Sequence, residues 1–145
     1  MNLRVASPDD LPAILDLWAE RTALHQKLSA HHLKSGSGSD PLRIADRLRS
    51  ALATEPALLL VAEADRALVG FVFGQVLDEK RAEIAALAID LHRYHAGVGR
   101  RLVYAFCAQL MERGISQFIV TAPRSLAVEQ AFWHSLRTEW NLELL

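Results

Sequence analysis

The chain has 145 residues, 51% of them hydrophobic and 23% charged, and its formal net charge is −1 at pH 7. This length suits one domain with a substantial core, so we predict a single domain over residues 1–145. The balanced charge excludes a general attraction to nucleic acid, and the lack of any run of about 18 apolar residues excludes a membrane-spanning helix. Cys107 is the only cysteine, so no disulfide forms within the chain. With no signal-peptide profile in the first residues, we predict a cytoplasmic protein.

The first third of the sequence predicts a short strand and two helices. Residues 3–6 are apolar, and Ser7 is followed by proline and two aspartates, which is a helix-start signal. An apolar stripe then recurs at helical spacing; it consists of Leu11, Ile14, Leu15, Trp18 and Thr22. A second helix is predicted over residues 40–54, with three arginines directed largely outward, namely Arg43, Arg47 and Arg49.

Residues 25–41, between these helices, form the least regular part of the sequence. They contain His25, His31, His32 and the run Ser-Gly-Ser-Gly-Ser at 35–39, which is typical of a flexible loop. Adjacent histidines do not match the spacing of ordinary metal ligands, so we predict no metal site there. Two interpretations stay open: solvated histidines, or a partly helical lid that contacts substrate.

Three consecutive strands are predicted next. Residues 57–63 and 68–77 are separated by a tight turn at Asp65 and Arg66, and therefore form a hairpin. Gly70 and Gly74 within the second of them indicate a bulge or a close approach of backbone. Residues 82–90 are short and apolar, as expected for a largely buried strand. We therefore predict an antiparallel meander.

A glycine loop connects this meander to an amphipathic helix that runs to residue 113. Gly97 and Gly99 let the backbone approach a ligand where a Cβ would obstruct it. The start of a helix presents unpaired N–H groups and the positive end of the dipole, which suits an anion such as a pyrophosphate. Arg100 and Arg101 add positive charge. The alternative is a plain structural turn, because helix-opening glycines are common.

Two better-known phosphate motifs are excluded at this loop. A dinucleotide fingerprint needs a small residue three positions after the second glycine, where Leu102 stands. A P-loop needs Gly-Lys-Ser or Gly-Lys-Thr, which the loop lacks. The loop is therefore a phosphate site of another kind, or a turn.

The last third of the sequence completes the order of elements. Residues 117–122 predict a strand, residues 125–136 a fourth helix and residues 140–145 a final strand. The order is β-α-α-β-β-β-α-β-α-β, in which a crossover helix joins the fourth strand to the fifth in parallel. The predicted class is α/β, with helices on both faces of a mixed sheet.

With the glycine loop in this order, the chain resembles the GNAT superfamily of acyl-CoA-dependent N-acyltransferases over nearly its whole length. The family signature is Gln/Arg-x-x-Gly-x-Gly/Ala; Gly97 and Gly99 match its glycines, and Tyr94 stands at the Gln/Arg position. The resemblance implies a mostly antiparallel sheet of six to seven strands flanked by about four helices. It also implies acetyl-CoA as acyl donor, no metal, and an amine of a small molecule or peptide as acceptor.

The resemblance further implies where acetyl-CoA binds. Backbone N–H groups of Val98, Gly99 and Arg100 would contact the pyrophosphate, and residues 87–89 would pair with the pantetheine arm as a strand does. The full set of implied cofactor-binding residues is Leu87, Ala88, Ile89, Tyr94, His95, Gly97, Val98, Gly99, Arg100, Arg101 and Trp133.

For catalysis, the resemblance points to Glu83 and Tyr94. In the branch that acetylates histone lysines, a strand glutamate fourteen positions before the first loop glycine is the base, and Glu83 has that position. If desolvated, its pKa should be raised, which suits a base; the alternative is an exposed charge facing Lys80 or Arg81. Many members protonate the thiolate with a tyrosine where Trp133 stands, so Tyr94 is a candidate substitute, as is His134.

The sequence also departs from the family pattern near its end. Leu126 replaces a common asparagine, Arg137 and Thr138 replace Gly-Phe, and one final strand is present where the family has two. These differences leave open a catalytically silent CoA-binding or interaction domain of the same fold. An open sheet edge is the basis for the hypothesis of a homodimer.

Overall fold

The computed structural model describes residues 1–28, 41–54, 58–93, 97–124 and 126–145. The strands are β1 (Asn2–Val5), β2 (Leu59–Ala64), β3 (Ala67–Val76), β4 (Arg81–Ile89), β5 (Gln117–Val120) and β6 (Leu142–Leu144). The helices are α1 (Leu11–Leu28), α2 (Pro41–Thr54), α3 (Val98–Met111) and α4 (Ala127–Leu136). None of the helices in these ranges combines the length and apolar character that a membrane crossing requires.

All six strands form one sheet in chain order, from β1 at one edge to β6 at the other. Strands β1 to β4 are antiparallel to their neighbours, whereas β4–β5 and β5–β6 are parallel pairs. Parallel neighbours need a crossover, which α3 and α4 supply. The predicted class, the meander and the four flanking helices are confirmed.

The helix-start signal at Ser7 has a clear physical basis. The Asp10 carboxylate accepts the backbone N–H of Ser7 at 2.8 Å and a guanidinium N–H of Arg4 at 2.7 Å. A short 3₁₀ turn over Pro8–Asp10 then leads into α1. The acidic side chain thus satisfies a backbone donor that the helix start leaves free and ties it to β1.

Two apolar cores lie on the two faces of the sheet. Trp18 of α1, Leu48 of α2 and Phe71 of β3 belong to one, and Phe106 of α3 and Trp133 of α4 belong to the other. Side chains alternate between the faces along each strand, so both cores draw on the same strands. Every helix buries an apolar stripe against the sheet.

A bulge in β4 changes which face its side chains reach. The register with β3 shifts at Gly74, where Phe73 pairs with Ala86 and Gly74 with Ile84, so Ala85 is the extra residue. A Cβ on Gly74 would clash with the carbonyl oxygen of Glu83. The prediction of a bulge or close approach at this glycine is therefore confirmed.

Beyond the bulge the sheet splits. Pairing between β4 and β5 ends at Ile84 and Val120, and the carbonyl of Ile84 accepts the N–H groups of Thr121 at 3.0 Å and Ala122 at 3.1 Å. Strand β4 continues to Ile89 with β3 on one side. Within the described residues, the other edge of residues 85–89 therefore has no strand beside it.

Candidate functional site at the split of the sheet

A cavity of about 270 Å³ opens at the split, between the end of β4, the start of α3 and the first turns of α4. Six of the predicted cofactor-binding residues line it: Leu87, Ile89, Gly97, Gly99, Arg100 and Trp133. Residues far apart in the sequence thus meet at one place. The predicted site residues Tyr94 and His95 and most of the predicted lid lie outside the described residues.

The start of α3 faces this cavity. Gly97 caps the helix with φ +77° and ψ 11°, a left-handed conformation that favours glycine. The first turn of an α-helix has no internal acceptors for its N–H groups, so those of Val98, Gly99 and Arg100 are available to a ligand. A Cβ on Gly97 would meet nothing within 4 Å, and Gly97 lines the cavity.

Gly99 has a different role from the one the loop pattern suggests. A Cβ here would lie 3.2 Å from two ring carbons of Phe132, and the residue is buried. The second glycine therefore lets the start of α3 pack against α4. It builds the corner of the cavity by close packing as well as leaving its N–H free.

The two loop arginines are not equivalent. Arg100 lines the cavity and donates a hydrogen bond to Glu139 at 2.8 Å, with both side chains about half exposed. Arg101 is exposed, and its backbone N–H closes the first helical turn on the carbonyl of Gly97 at 3.1 Å. Of these two arginines, only Arg100 is therefore placed to add positive charge within the cavity.

The end of β4 supplies the opposite wall. Leu87 and Ile89 turn their side chains toward the cavity, whereas the Ala88 side chain is buried in the core on the α1 face. Ala88 is therefore available through its backbone alone. An unpaired strand edge binds an extended amide chain through main-chain hydrogen bonds.

Trp133 forms the aromatic wall. Its side chain is 2% exposed and packs edge to face with Phe132, the ring centroids being 5.1 Å apart. The indole N–H donates hydrogen bonds but does not give up its proton as an acid. Trp133 therefore shapes the cavity and does not protonate a leaving thiolate.

Glu83 does not line this cavity. It lies four residues before Leu87 on β4 and, because of the bulge, faces the α2 side of the sheet. Its carboxylate accepts hydrogen bonds from Gln75 at 2.7 Å, from Arg47 at 3.1 Å and from the Thr121 hydroxyl. The alternative in which it faces Arg81 is wrong, since that arginine pairs with Asp78 at 2.8 Å.

These partners decide the charge state of Glu83. Burial raises the pKa of its carboxyl, but the hydrogen bonds from Thr121 and Gln75 and the charge of Arg47 outweigh burial and hold the pKa below its usual range. The predicted rise of this pKa is therefore wrong. Arg47, predicted to point outward, instead lies 5.2 Å from the ring centroid of Phe73 and reaches Glu83.

A buried ion pair beside the cavity was not predicted from the sequence. Arg21 of α1 is 3% exposed and donates to one oxygen of Glu129 from Nε at 2.9 Å and from Nη2 at 2.6 Å. The signal was present, because positions 14, 18 and 21 share one helix face. The predicted stripe includes Thr22 instead, and a buried arginine is uncommon in proteins.

Comparisons with known proteins agree with this geometry. A sequence model of the Acetyltransferase (GNAT) family matches residues 18–135. A comparison with curated proteins gives no match.

Solved structures share the fold. A ribosomal-protein-alanine N-acetyltransferase from Brucella melitensis biovar Abortus 2308 is 15% identical, with a TM-score of 0.64 over 94% of this chain and 91% of that chain. The aminoglycoside acetyltransferase meta-AAC0020 from an uncultured soil metagenomic sample, in complex with sisomicin, is 23% identical, with a TM-score of 0.62 over 92% of this chain and 85% of that chain. Rv2747 from Mycobacterium tuberculosis, in complex with CoA, is 20% identical, with a TM-score of 0.60 over 83% of this chain and 63% of that chain. At these identities the likeness establishes the fold alone.

Proposed function

We propose that this chain, which belongs to the acetyltransferase (GNAT) family, transfers an acetyl group from acetyl-CoA directly to a primary amine of a small molecule or peptide. One observation carries the proposal. The free N–H groups at the start of α3 and the unpaired edge of β4 meet in a single cavity. The first feature suits a pyrophosphate and the second suits the amides of a pantetheine arm.

In this proposal acetyl-CoA binds through backbone groups. The N–H groups of Val98, Gly99 and Arg100 hold the pyrophosphate, and the edge of residues 87–89 pairs with the pantetheine amides. Phe132 and Trp133 close the side of the cavity. A fold neighbour, Rv2747, is described in complex with CoA, which supports CoA as the ligand.

Acetyl transfer needs an unprotonated amine that attacks the thioester carbon, after which the thiolate leaves. We assign the proton acceptor to Glu83, directly or through a water, and the proton donor to the thiolate to Tyr94. The lowered pKa keeps Glu83 ionised near neutral pH, so the carboxylate attracts an ammonium group and is free of its own proton, although it is a weaker base than one with a raised pKa. Because Glu83 faces the α2 side, the thioester has to reach through the split to meet the acceptor there.

The donor part of the proposal is tested by thermal unfolding with acetyl-CoA, CoA and NADH in parallel. A ligand present at about 100 times its Kd and bound only to the folded state adds about 2.7 kcal/mol, which raises the Tm by several degrees. We expect this rise with acetyl-CoA and CoA but not with NADH. Equal Tm values with and without both CoA compounds would overturn the proposal.

The catalytic part is tested with Glu83→Gln and a panel of amines. Loss of a general base lowers turnover by about 100-fold or more, while the rise in Tm with CoA stays. Glu63→Gln is the matched control, since Glu63 also pairs with an arginine, Arg4, but does not line the cavity. CoA binding without turnover of any amine by the unaltered protein would favour the silent binding domain.

The homodimer also stands as a proposal. In the described part of the chain, the outer edge of β6 has no strand beside it, and such an edge can pair with a second copy. Light scattering should then give the mass of a dimer, and a monodisperse monomer would contradict it.

A further inference from the structure

The Arg21–Glu129 pair connects the two faces of the sheet. Arg21 belongs to α1, which packs on one face, and Glu129 belongs to α4, which packs on the other. Arg21 Nη2 also lies 3.4 Å from the carbonyl oxygen of Pro123, in the segment that leaves β5. Because Glu129 also lines the cavity at the split, the pair lies at the split.

One member of this pair, Glu129, forms part of the wall of the cavity that is proposed to hold acetyl-CoA. Glu129 and Pro123 both line the cavity, and Arg21 contacts both from the α1 face. Glu83 also acts on the face of the sheet covered by α1 and α2. In the proposed function the thioester extends from the cavity toward Glu83, on the face from which Arg21 reaches Glu129 and Pro123.

The pair is fixed and electrically balanced. The side chains are 4% and 14% exposed, and the guanidinium lies 5.4 Å from the ring centroid of Trp18, a favourable cation–π distance. Two N–H groups of Arg21 converge on one oxygen of Glu129. The positive charge at this wall is therefore already neutralised by a residue of the chain.

We propose that the Arg21–Glu129 pair selects the acyl group, so that the protein accepts acetyl-CoA and rejects acyl-CoA donors whose acyl chain ends in a carboxylate. The inference rests on the proposed function. A second carboxylate here would be desolvated beside Glu129, and the guanidinium of Arg21 is already paired, which is unfavourable. An acetyl group brings no charge and meets a neutral wall.

The substitution Glu129→Gln tests the role of charge. It keeps the shape of the side chain but leaves Arg21 with a neutral partner, so the carboxylate of succinyl-CoA gains a charge-assisted partner. We expect the ratio of the Kd for succinyl-CoA to that for acetyl-CoA to fall at least ten-fold. In Arg21→Met/Glu129→Gln this gain should disappear.

The measurement is a calorimetric titration with CoA, acetyl-CoA and succinyl-CoA, which requires no acceptor amine. The unaltered protein and Glu63→Gln should both bind acetyl-CoA at least ten-fold more tightly than succinyl-CoA. Equal affinities in the unaltered protein overturn the inference without any variant. So does an unchanged ratio in Glu129→Gln, or a gain that persists in the double variant.

A second variant guards against loss of folding on breaking a buried pair. Arg21→Met/Glu129→Met replaces both charges by apolar side chains, a change that buried ion pairs often tolerate. It should still reject succinyl-CoA, and a gain of succinyl-CoA binding would assign the selection to size and overturn the role of charge. If neither CoA nor acetyl-CoA binds the unaltered protein, the proposed function fails as well. If both bind but the ratio of the Kd for succinyl-CoA to that for acetyl-CoA is the same in the variants as in the unaltered protein, the inference alone fails.

Discussion

Among the described residues, three donate hydrogen bonds to Glu83, and Thr121→Val removes one of these bonds with little change of shape. Since a hydrogen bond to the charged form lowers the pKa of a carboxyl, its loss should raise that pKa. The rate of a reaction that needs ionised Glu83 falls as the pH drops through this pKa. We therefore expect the acid limb of kcat/KM to move to higher pH in Thr121→Val.

The pH profile of kcat/KM for the unaltered protein provides the reference. Its acid limb should lie below the ordinary glutamate value of 4.5, because the pKa of Glu83 is lowered. Serine at position 121 keeps the hydroxyl and should keep the limb in place. An acid limb that does not differ between the unaltered protein and Thr121→Val would contradict Glu83 as the titrating group.

Asp10 predicts how stability depends on pH. The hydrogen bond from Arg4 outweighs desolvation and, with those from Ser7, lowers the pKa of Asp10 from 3.8 to about 2. A carboxyl with a lower pKa in the folded state stabilises it fully above 3.8, and this contribution is lost as the pH falls toward about 2. Asp10→Asn should lower the free energy of unfolding by about 1–2 kcal/mol at pH 7.

Urea unfolding at pH 7 and near pH 2.5 checks this. The difference in the free energy of unfolding between Asp10→Asn and the unaltered protein should shrink at the lower pH. The neighbouring Asp9 is exposed, so Asp9→Asn should stay within about 0.5 kcal/mol. A difference for Asp10→Asn that is the same at both values of pH would show that its ionisation is not the cause.

Residue identities were easier to predict than residue environments. The place of Gly97 at the start of a helix and the place of Glu83 on a buried strand followed from the sequence. The pKa of Glu83 did not, because its donors come from positions 47, 75 and 121, and pattern alone does not reveal which of these side chains meet. Arg21 was missed for the same reason, since its partner is 108 positions away.

Among the elements, α3 offers a matched pair of glycines, one at each end. Gly97 has φ +77° and Gly114 has φ +94°, and a Cβ at either position would meet nothing within 4 Å. Alanine at each should therefore cost about 1 kcal/mol of stability through backbone strain alone. Only Gly97→Ala places a methyl group at the cavity, so only this variant should weaken CoA binding, by about ten-fold or more.

Thermal unfolding and CoA titration of the two variants separate these effects. Similar losses of Tm are expected, together with unequal changes in the Kd for CoA. If Gly114→Ala weakened CoA binding as much as Gly97→Ala, the loss would come from general destabilisation. The glycine loop would then be a structural turn.

The order of elements was predictable because its signals are local. Helical spacing, the cap at Ser7 and the turn at Asp65 each act within a few residues, and the predicted elements match those observed. Local signals do not reveal the split, which only the family resemblance implied, since it depends on the pairing of Ile84 with Val120 and on the separation of the two strands just beyond. The bulge at Gly74 was anticipated, but not its effect of turning Leu87 toward the cavity.

At the scale of the whole molecule, Cys107 reports on the opening of the core. It lies midway along α3, is fully buried, and belongs to the core that α3 and α4 share. Burial raises the pKa of its thiol, so the reactive thiolate is scarce in the folded state. Alkylation by iodoacetamide should therefore require unfolding and run far more slowly than with a free thiol.

This slow alkylation measures acetyl-CoA binding without any acceptor. If the reagent reaches Cys107 only in the unfolded chain, acetyl-CoA at about 100 times its Kd reduces the unfolded population, and hence the rate, by about 100-fold. Acetyl-CoA is the suitable ligand because its own thiol is blocked. NADH should leave the rate unchanged, and so should acetyl-CoA in a parallel reaction with N-acetylcysteine. Because Cys107 is the only cysteine, mass spectrometry follows a single product.

Alkylation as fast as that of N-acetylcysteine would mean that α3 opens locally, and the core around the donor site would then be far less stable than its packing indicates.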